Sequence, residues 1–356
     1  MADKDYTKRF DELLMLAVKN KASDLHLGVD RKPVLRIDGV LQEVEYDILK
    51  EVDITGILES VLTKKQSDKF FKEKDIDFSY NLNTTGRFRC NAYFQLGKPA
   101  CAIRFIPDKI LTLEDLGLPP VLNLFCQANQ GFVLVTGPSS HGKSTTLAAL
   151  INEINNTRQE HIITIEDPIE YVFKNNKSRI DQREVMTDTQ SFARALRATF
   201  RQDPNVIMVG EMRDPETIST AITAAETGHL VFATLHTNSA AQTIHRIVDN
   251  FEGSRQRQVR VQLATSLLGI VSQRLIPRIK GGTIPACEII FNNAAVSHLI
   301  RENKIHEISS VIDTSREQGM ISLNKSLSKL VNDGEITREV ALKYSLDTED
   351  LKTILR

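Results

Sequence analysis

A phosphate-binding loop motif is the pattern in this chain with the most definite chemistry. Residues 137–144 read GPSSHGKS and fit the pattern G-x-x-x-x-G-K-[ST]. An apolar, β-branched stretch precedes the motif, and a good helix-forming stretch follows it. In such a loop, backbone N–H groups and a helix N-terminus bind phosphate groups. We therefore predict an ATP site with contacts from Gly137, Pro138, Ser139, Ser140, His141, Gly142, Lys143, Ser144 and Thr145.

Two side chains of the motif have specific expected roles. Lys143 is expected to reach the β- and γ-phosphates, and the Ser144 hydroxyl is expected to hold Mg²⁺. The alternative is a chance match in a glycine-containing turn. The strand-forming and helix-forming flanks, at residues 131–136 and 145–151, favour the phosphate loop over that alternative.

Three carboxylates follow the next buried strand, at residues 162–165. They are Glu166, Asp167 and Glu170. Because ligands of a parallel sheet lie outside the carboxyl ends of its strands, these side chains are expected beside the triphosphate. One of them could orient or deprotonate the attacking water. A solvated acidic turn is the alternative interpretation.

Two further strands end in polar side chains. The apolar residues 206–209 precede Glu211 in a Walker B arrangement, and its carboxylate is expected to bind Mg²⁺ directly or through water. His229 and His236 bracket a third apolar strand. His236, at the carboxyl end, is expected to sense the γ-phosphate, whereas His229 is expected to be structural.

Arginines are the candidate cations for charge that develops on the γ-phosphate, often from a neighbouring subunit. A solvated basic face with local ion pairs is the alternative for any one of them. If arginines of a separate domain act on a neighbour's nucleotide, the protein is an oligomer with composite sites. The candidates are Arg87, Arg89 and Arg104 near the N-terminus, and Arg194, Arg197 and Arg201 in a helical stretch.

The pattern of elements predicts an α/β chain with more than one domain. Residues 1–107 read as a separate α/β module, and residues 108–120 read as a linker. Strands and helices then alternate as in a parallel doubly wound sheet. We predict an ATPase domain over 121–356, with a helical module from about residue 285.

Composition excludes some classes of protein. The 45 basic and 46 acidic side chains nearly cancel, which argues against nucleic acid as a partner. The sequence has neither a run of about 20 apolar residues nor the apolar core of a signal peptide, so a cytoplasmic location is expected. The four cysteines form no C-x-x-C pair and are expected to be reduced, buried thiols.

Four motifs in this order resemble the Walker A, Asp box, Walker B and His box of the type II/type IV secretion ATPases. After the phosphate loop they read IEDPIE at 165–170, VGEMRD at 209–214 and LVFATLHT at 230–237. The ASDLHL sequence at 22–27 resembles the N-terminal motif of the same family, so the similarity covers nearly the whole chain.

That resemblance implies a PAS-like N-terminal domain, a RecA-like P-loop ATPase domain with a helical C-terminal extension, and a homohexameric ring. It implies a cytoplasmic motor, peripheral at the inner membrane, that docks on a pilus platform protein. By the family's pattern, Glu170 is the general base, and Glu211 handles Mg²⁺ and water. Arg197, Arg201 and the N-terminal arginines neutralise charge.

Within that family, AVSHLIRE at 295–302 resembles a motif of the pilus retraction ATPases. Retraction is favoured because the chain has neither a long extra N-terminal domain nor a four-cysteine zinc module. The alternatives are a pilus-extension or type II secretion ATPase, and a weakly catalytic paralogue that assembles with a true motor. A RecA-like DNA motor is a further alternative, against which the near-neutral charge argues.

The phosphate loop departs from the family pattern at two positions. Ser140 replaces a glycine and His141 replaces a serine. If position 140 needs a left-handed backbone, serine there costs roughly 1–2 kcal/mol. We expect the loop still to bind nucleotide. If His141 lies over the phosphates, nucleotide affinity depends on pH near the titration range of histidine.

Overall fold

The structure is a computed structural model that describes residues 5–37, 39–82, 86–106 and 109–356. The chain divides into two compact units. The first comprises Met1–Lys109 with Pro168–Val172, and the second comprises Ile110–Asp167 with Phe173–Arg356. The predicted boundary between residues 107 and 108 lies outside the described residues. The division into 1–107, 108–120 and 121–356 therefore stays a prediction.

The first unit is an antiparallel six-stranded sheet with three helices, in the sheet order β3-β2-β1-β6-β5-β4. Helix α1 packs with Phe10, Leu13, Leu14 and Ala17 buried, as its apolar spacing predicts. Alternate residues of β5 are buried, so that strand covers one face of the core. The elements are α1 (Tyr6–Lys19), β1 (Asp24–Gly28), β2 (Val34–Ile37), β3 (Val40–Glu43), α2 (Glu51–Val61), α3 (Lys64–Glu73), β4 (Asp75–Leu82), β5 (Gly86–Gln95) and β6 (Lys98–Ile106).

The second unit contains a seven-stranded sheet in the order β13-β12-β7-β11-β10-β8-β9. Neighbouring strands are parallel except β12 and β13. Its central strands are buried along their whole length, which is typical of a sheet covered on both faces. The elements are α4 (Asn123–Gln127), β7 (Gly131–Thr136), α5 (Lys143–Thr157), β8 (His161–Glu166), β9 (Arg179–Glu184), α6 (Phe192–Thr199), β10 (Val206–Val209), α7 (Pro215–Glu226), β11 (Leu230–Leu235), α8 (Ala240–Asp249), α9 (Gly253–Ser266), β12 (Leu267–Pro277) and β13 (Thr283–Phe291).

Helices complete the second unit, and the helical module begins after strand β13 rather than at about residue 285. The expected start near residue 285 is wrong, because Thr283–Phe291 pair with β12 as strand β13. Pro285 sits within that strand, whereas the sequence pattern places the end of the sheet there. The helices are α10 (Ala294–Arg301), α11 (Ile308–Thr314), α12 (Leu323–Asn332), α13 (Arg338–Tyr344) and α14 (Thr348–Ile354). Within the described part of the chain, every helix is too short or too polar to cross a bilayer.

Candidate nucleotide-binding site

The predicted phosphate loop connects the end of β7 to the start of α5. Gly137 has φ 149°. A Cβ at this position would lie 2.4 Å from the Gln273 carbonyl oxygen, so the loop backbone can pack against β12 only because glycine has no side chain. Gly142 also has a left-handed backbone, with φ 78°. Ser140 has φ 63°, which is the left-handed conformation that a glycine at this position would adopt freely. The loop therefore carries a strained residue, at a cost of roughly 1–2 kcal/mol.

The Lys143 side chain lies inside this loop and is only 8% exposed. Its Nζ donates to the Gly137 carbonyl oxygen at 2.9 Å and to the Pro138 carbonyl oxygen at 2.8 Å. These carbonyl oxygens hold the ammonium group against the backbone of the loop. The role of Lys143 at a phosphate group stays a prediction.

Glu211 and His236 lie at the same edge of the sheet as the loop, because β7, β11 and β10 are parallel neighbours. His236 Nδ1 is 3.4 Å from Lys143 Nζ, and His236 Nε2 is 3.6 Å from Glu211 Oε2. Glu211 also forms an ion pair with Arg213. We call Lys143, His236, Glu211 and Arg213 the polar row.

Burial and the neighbouring Lys143 charge lower the pKa of His236, and Glu211 opposes this shift. His236 is therefore neutral at pH 7 and becomes protonated only below the ordinary range of histidine. A neutral imidazole between an ammonium and a carboxylate can donate one hydrogen bond and accept another. This geometry suits a residue that links the loop to Glu211.

The three carboxylates after β8 have different surroundings. Glu166 is buried and accepts hydrogen bonds from Thr164 Oγ1 at 2.6 Å and from Gln182 Nε2 at 3.1 Å. Both hydrogen bonds go to Glu166 Oε1 and come from residues of its own sheet. Glu170 belongs to the first unit, where its Oε1 lies 3.3 Å from Arg89 Nη1.

The other candidate arginines differ in their partners. Arg104 pairs with Asp24 at 2.8 Å within the first unit, and Arg197 pairs with Glu216 in the second. Arg87 also makes an interaction. Arg201 is exposed and makes no ion pair among the described residues. Within the second unit, the described ion pairs join Arg197 to Glu216 and not to the polar row.

Two residues of the site, Arg213 and Gln273, are not predicted from the sequence. Gln273 is 2% exposed; its Nε2 donates to the His141 carbonyl oxygen at 2.6 Å, and its Oε1 accepts from Thr146 Oγ1 at 2.7 Å. The signal that could have revealed Gln273 is its amide in a mainly apolar strand, since buried polar groups need partners. His141 itself turns toward β12, where its Nδ1 accepts from the Leu275 N–H at 2.9 Å.

The donor set fits Mg²⁺ bound together with a nucleotide. Among the described residues, no group of three or more His, Cys, Asp or Glu side chains could hold a metal ion alone. Mg²⁺ typically takes one or two protein oxygens along with substrate phosphates and water. The Ser144 hydroxyl, on the residue after Lys143, and the Glu211 carboxylate in the polar row would supply such oxygens.

Comparisons with known proteins show the family of the chain. A family model described as type II/IV secretion system protein matches residues 2–341. The chain belongs to this family. The type II/IV secretion system membership that the motif order predicted is thereby confirmed, and so is the α/β fold class.

Three relatives within this family are close along nearly their whole length. The type IV pilus retraction ATPase PilT of Pseudomonas aeruginosa is 45% identical over 93% of this chain and 96% of its own length. A twitching motility protein of Neisseria gonorrhoeae is 44% identical over 90% of this chain and 86% of its own. The crystal structure of the pilus retraction motor PilT with bound ADP matches with a TM-score of 0.90 and 46% identity, over 96% of this chain and 98% of that one.

Proposed function

We propose that this chain is an ATP-hydrolysing motor that retracts type IV pili. The observation that carries the proposal is the polar row beside the phosphate loop, in a chain similar over nearly its full length to a pilus retraction ATPase. The comparison with an ADP-bound structure supports nucleotide binding by the same fold. Pilus disassembly is the mechanical output that the names of these relatives suggest.

Nucleotide binding in this proposal uses the loop backbone and Lys143. The phosphates replace the Gly137 and Pro138 carbonyl oxygens as partners of Lys143 Nζ, since an ammonium ion prefers an anionic partner to a neutral one. His236 then reports the state of the γ-phosphate to Glu211 through its second ring nitrogen. Ser144 and Glu211 would hold Mg²⁺, which would supply positive charge against the phosphates.

Hydrolysis requires a base that deprotonates the attacking water. It also requires cations that neutralise the charge developing on the γ-phosphate. Glu170 is the proposed base, and its ion pair with Arg89 orients the carboxylate. Arg197, Arg201, Arg87, Arg89 and Arg104 are the proposed sources of positive charge. Because phosphoryl transfer often takes such a cation from a neighbouring subunit, we propose a homohexamer with composite sites.

The proposed partners are further copies of this chain and a pilus platform protein at the inner membrane. Closure of one subunit on its neighbour's nucleotide, followed by loosening after hydrolysis, would displace that platform protein. Nucleic acid is not among the proposed partners, since basic and acidic side chains nearly cancel.

Two substitutions test the catalytic proposal in the purified chain. Lys143→Ala is expected to abolish nucleotide binding, because it removes the cation buried in the loop. Glu211→Ala is expected to leave nucleotide binding largely intact and to reduce kcat by roughly 100-fold or more, a typical loss for a group that stabilises the transition state. ATP titration and phosphate release measure the two quantities. Wild-type turnover in Glu211→Ala would contradict the assigned role of Glu211.

A deletion strain tests the direction of the motor. Loss of a retraction motor leaves assembled pili in place, so the strain is expected to be hyperpiliated and to lose twitching motility. Restoration by the wild-type chain but not by Lys143→Ala would tie the phenotype to nucleotide use. A strain without pili would instead support the alternative of an extension or secretion ATPase.

One observation favours a second candidate, an accessory ATPase that assembles on a paralogous motor. Ser140 holds the left-handed loop position at which the family usually has glycine, so the loop is strained where phosphate binds. Steady-state ATPase activity of the purified chain alone separates the candidates. Turnover near background without a partner ATPase, and recovery with one, would favour the accessory role.

A further inference from the structure

Strand β12 extends beyond the end of its parallel neighbour. The last residue of β12 that pairs with β7 is Ser272, opposite Thr136, and β12 continues to Pro277. Backbone N–H groups on that side of β12 then need acceptors other than β7. The acceptor for Leu275 N–H is the His141 ring, whose Nδ1 lies 2.9 Å from it.

A second contact between the same strand and the loop lies next to the first. Gln273 Nε2 donates to the His141 carbonyl oxygen at 2.6 Å, and Gln273 Oε1 accepts from Thr146 Oγ1 at 2.7 Å. The Gln273 amide is buried, so these bonds compete little with water. His141 is therefore bound to β12 through both its backbone and its side chain.

These two contacts follow directly after the strained residue of the loop. Ser140 has φ 63°, and a serine keeps such a backbone only when its surroundings fix it. His141 is the next residue, and its two hydrogen bonds to β12 fix the backbone directly after Ser140. Strain at position 140 and the hydrogen bond from position 141 thus form one local arrangement.

We propose that His141 is a positioning residue that holds the phosphate loop against β12 through its Nδ1, in the shape that receives nucleotide phosphates. The proposal rests on the proposed function, since it assumes that this loop binds ATP. His141 in this role touches β12 and acts on the nucleotide through the loop. It differs from a histidine placed over the phosphates, which would contact the nucleotide directly.

The hydrogen bond requires neutral His141. Nδ1 accepts from a backbone N–H, so the ring proton is on Nε2. Burial lowers the pKa of His141, and the nearby charges of Arg274 and Lys143 lower it further. The neutral form is therefore present above about pH 6.5, and the hydrogen bond is lost as the pH falls below that value through the lowered pKa.

Three substitutions at position 141 separate the acceptor from the bulk of the ring. His141→Asn places an amide oxygen where Nδ1 lies, His141→Gln places its oxygen one bond further out, and His141→Leu removes the acceptor. His245→Leu, at an exposed histidine on α8, is the matched control. The dissociation constant of a fluorescent ADP analogue at pH 7.5 and the thermal unfolding midpoint without nucleotide are measured for each variant.

His141→Asn and His245→Leu are expected to bind the analogue as the wild type does. His141→Gln and His141→Leu are expected to bind it roughly two- to tenfold more weakly, the factor that corresponds to one net hydrogen bond. The unfolding midpoints are expected to follow the same order. Wild-type affinity in His141→Leu, or equal weakening in His141→Asn and His141→Leu, would overturn the proposal.

The pH dependence distinguishes the two possible positions of the ring. The wild type is compared with His141→Asn from pH 8 to pH 5, so that His236 and the nucleotide phosphates, which titrate in both proteins, cancel in the ratio. If the His141 ring binds β12, its protonation weakens nucleotide binding by the wild type relative to binding by His141→Asn. If the ring instead lies over the phosphates, its protonation strengthens nucleotide binding by the wild type. The proposal would be overturned if the ratio of the two dissociation constants stays constant as the pH falls. It would also be overturned if the wild type then binds more tightly relative to His141→Asn.

Failure of the proposed function gives a different result. A wild type that binds no nucleotide at any pH would contradict the ATP site itself. The unfolding midpoints without nucleotide would still test the His141–Leu275 hydrogen bond, because they need no ligand. Equal midpoints for the wild type, His141→Asn and His141→Leu would then overturn the positioning role independently.

Discussion

Glu211 is the residue on which the charges of the site converge. Its carboxylate is 15% exposed and contacts both Arg213 and His236, while Lys143 lies on the far side of the His236 ring. Mg²⁺ at this carboxylate would share it with the Arg213 guanidinium. Because like charges repel, Arg213 is expected to weaken Mg²⁺ binding at this carboxylate.

Substitution of Arg213 tests this competition. Arg213→Gln removes the charge and is expected to lower the Mg²⁺ concentration for half-maximal ATPase activity by up to about fivefold. That is the upper value for an exposed ion pair, and Arg213 is 72% exposed. The measurement is a Mg²⁺ titration at saturating ATP. Arg301→Gln, at an exposed arginine of α10, is the control and should leave the titration unchanged. A raised Mg²⁺ requirement in Arg213→Gln would show that the arginine supports the metal.

The residues that define the site differ in how far the sequence reveals them. Glu211 and His236 follow strand ends, and Lys143 begins the helix after the loop that follows β7. The rule that parallel strands end at one edge is enough to bring them together from the sequence alone. The contacts of His141 with Gln273 and Leu275 join residues more than 130 positions apart. No local spacing encodes such a contact, since it depends on which strand lies beside β7.

At the level of elements, β12 supports the phosphate loop from the side. The strand has an irregular register with β7 between Leu267 and Gly269, where the chain passes close to its neighbours. A Cβ on Gly269 would lie 2.3 Å from the Ile290 carbonyl oxygen and 2.7 Å from the Phe125 ring. Glycine here allows β13 and α4 to approach the strand that carries Gln273 and Leu275.

Gly269→Ala is therefore expected to destabilise the second unit by about 1–3 kcal/mol, the usual cost of overpacking. Urea unfolding measures this as a lower midpoint with an unchanged slope. Gly28→Ala on β1 is the matched control, because the nearest atom to its Cβ is 3.5 Å away. It should change the free energy of unfolding by less than about 0.5 kcal/mol. Equal effects of both substitutions would contradict the close approach at Gly269.

Periodicity and turn residues reveal most helices and strands, but they do not reveal which strands pair with each other. The buried strands, the α/β alternation and the later helices follow from apolar spacing. The pairing of β13 with β12 does not, since Pro285 indicates the end of a sheet when it is read locally. The proline fits because the hairpin lies at the sheet edge, and only the strand order makes that edge visible.

At the level of the whole molecule, each unit has its own buried core. The first packs around residues such as Phe10 and Phe88, and the second around residues such as Phe132 and Phe232. Glu170 and Arg89 belong to the first unit, whereas the polar row belongs to the second. The chemistry that we propose therefore draws on both units, which makes their arrangement in an oligomer the decisive question.

Mixing two inactive variants answers whether the sites are composite. Lys143→Ala is expected to lose nucleotide binding, and Arg201→Ala is expected to keep binding but lose the cation for its neighbour. Arg201 is the arginine of choice because it is exposed and has no ion pair within the part of the chain that the structure describes. If it acts in trans, about one site in four of a randomly mixed 1:1 ring has an intact Lys143 and a neighbouring intact Arg201. ATPase activity should then recover toward a quarter of the wild-type rate.

The control is a mixture of Lys143→Ala with Glu211→Ala. Both residues belong to the polar row of one chain, so neither variant can supply what the other lacks, and the mixture should stay inactive. Recovery in both mixtures would mean that the polar row itself is shared between subunits. An inactive mixture of Lys143→Ala and Arg201→Ala would instead place Arg201 in its own subunit's site, and the composite site would need another arginine.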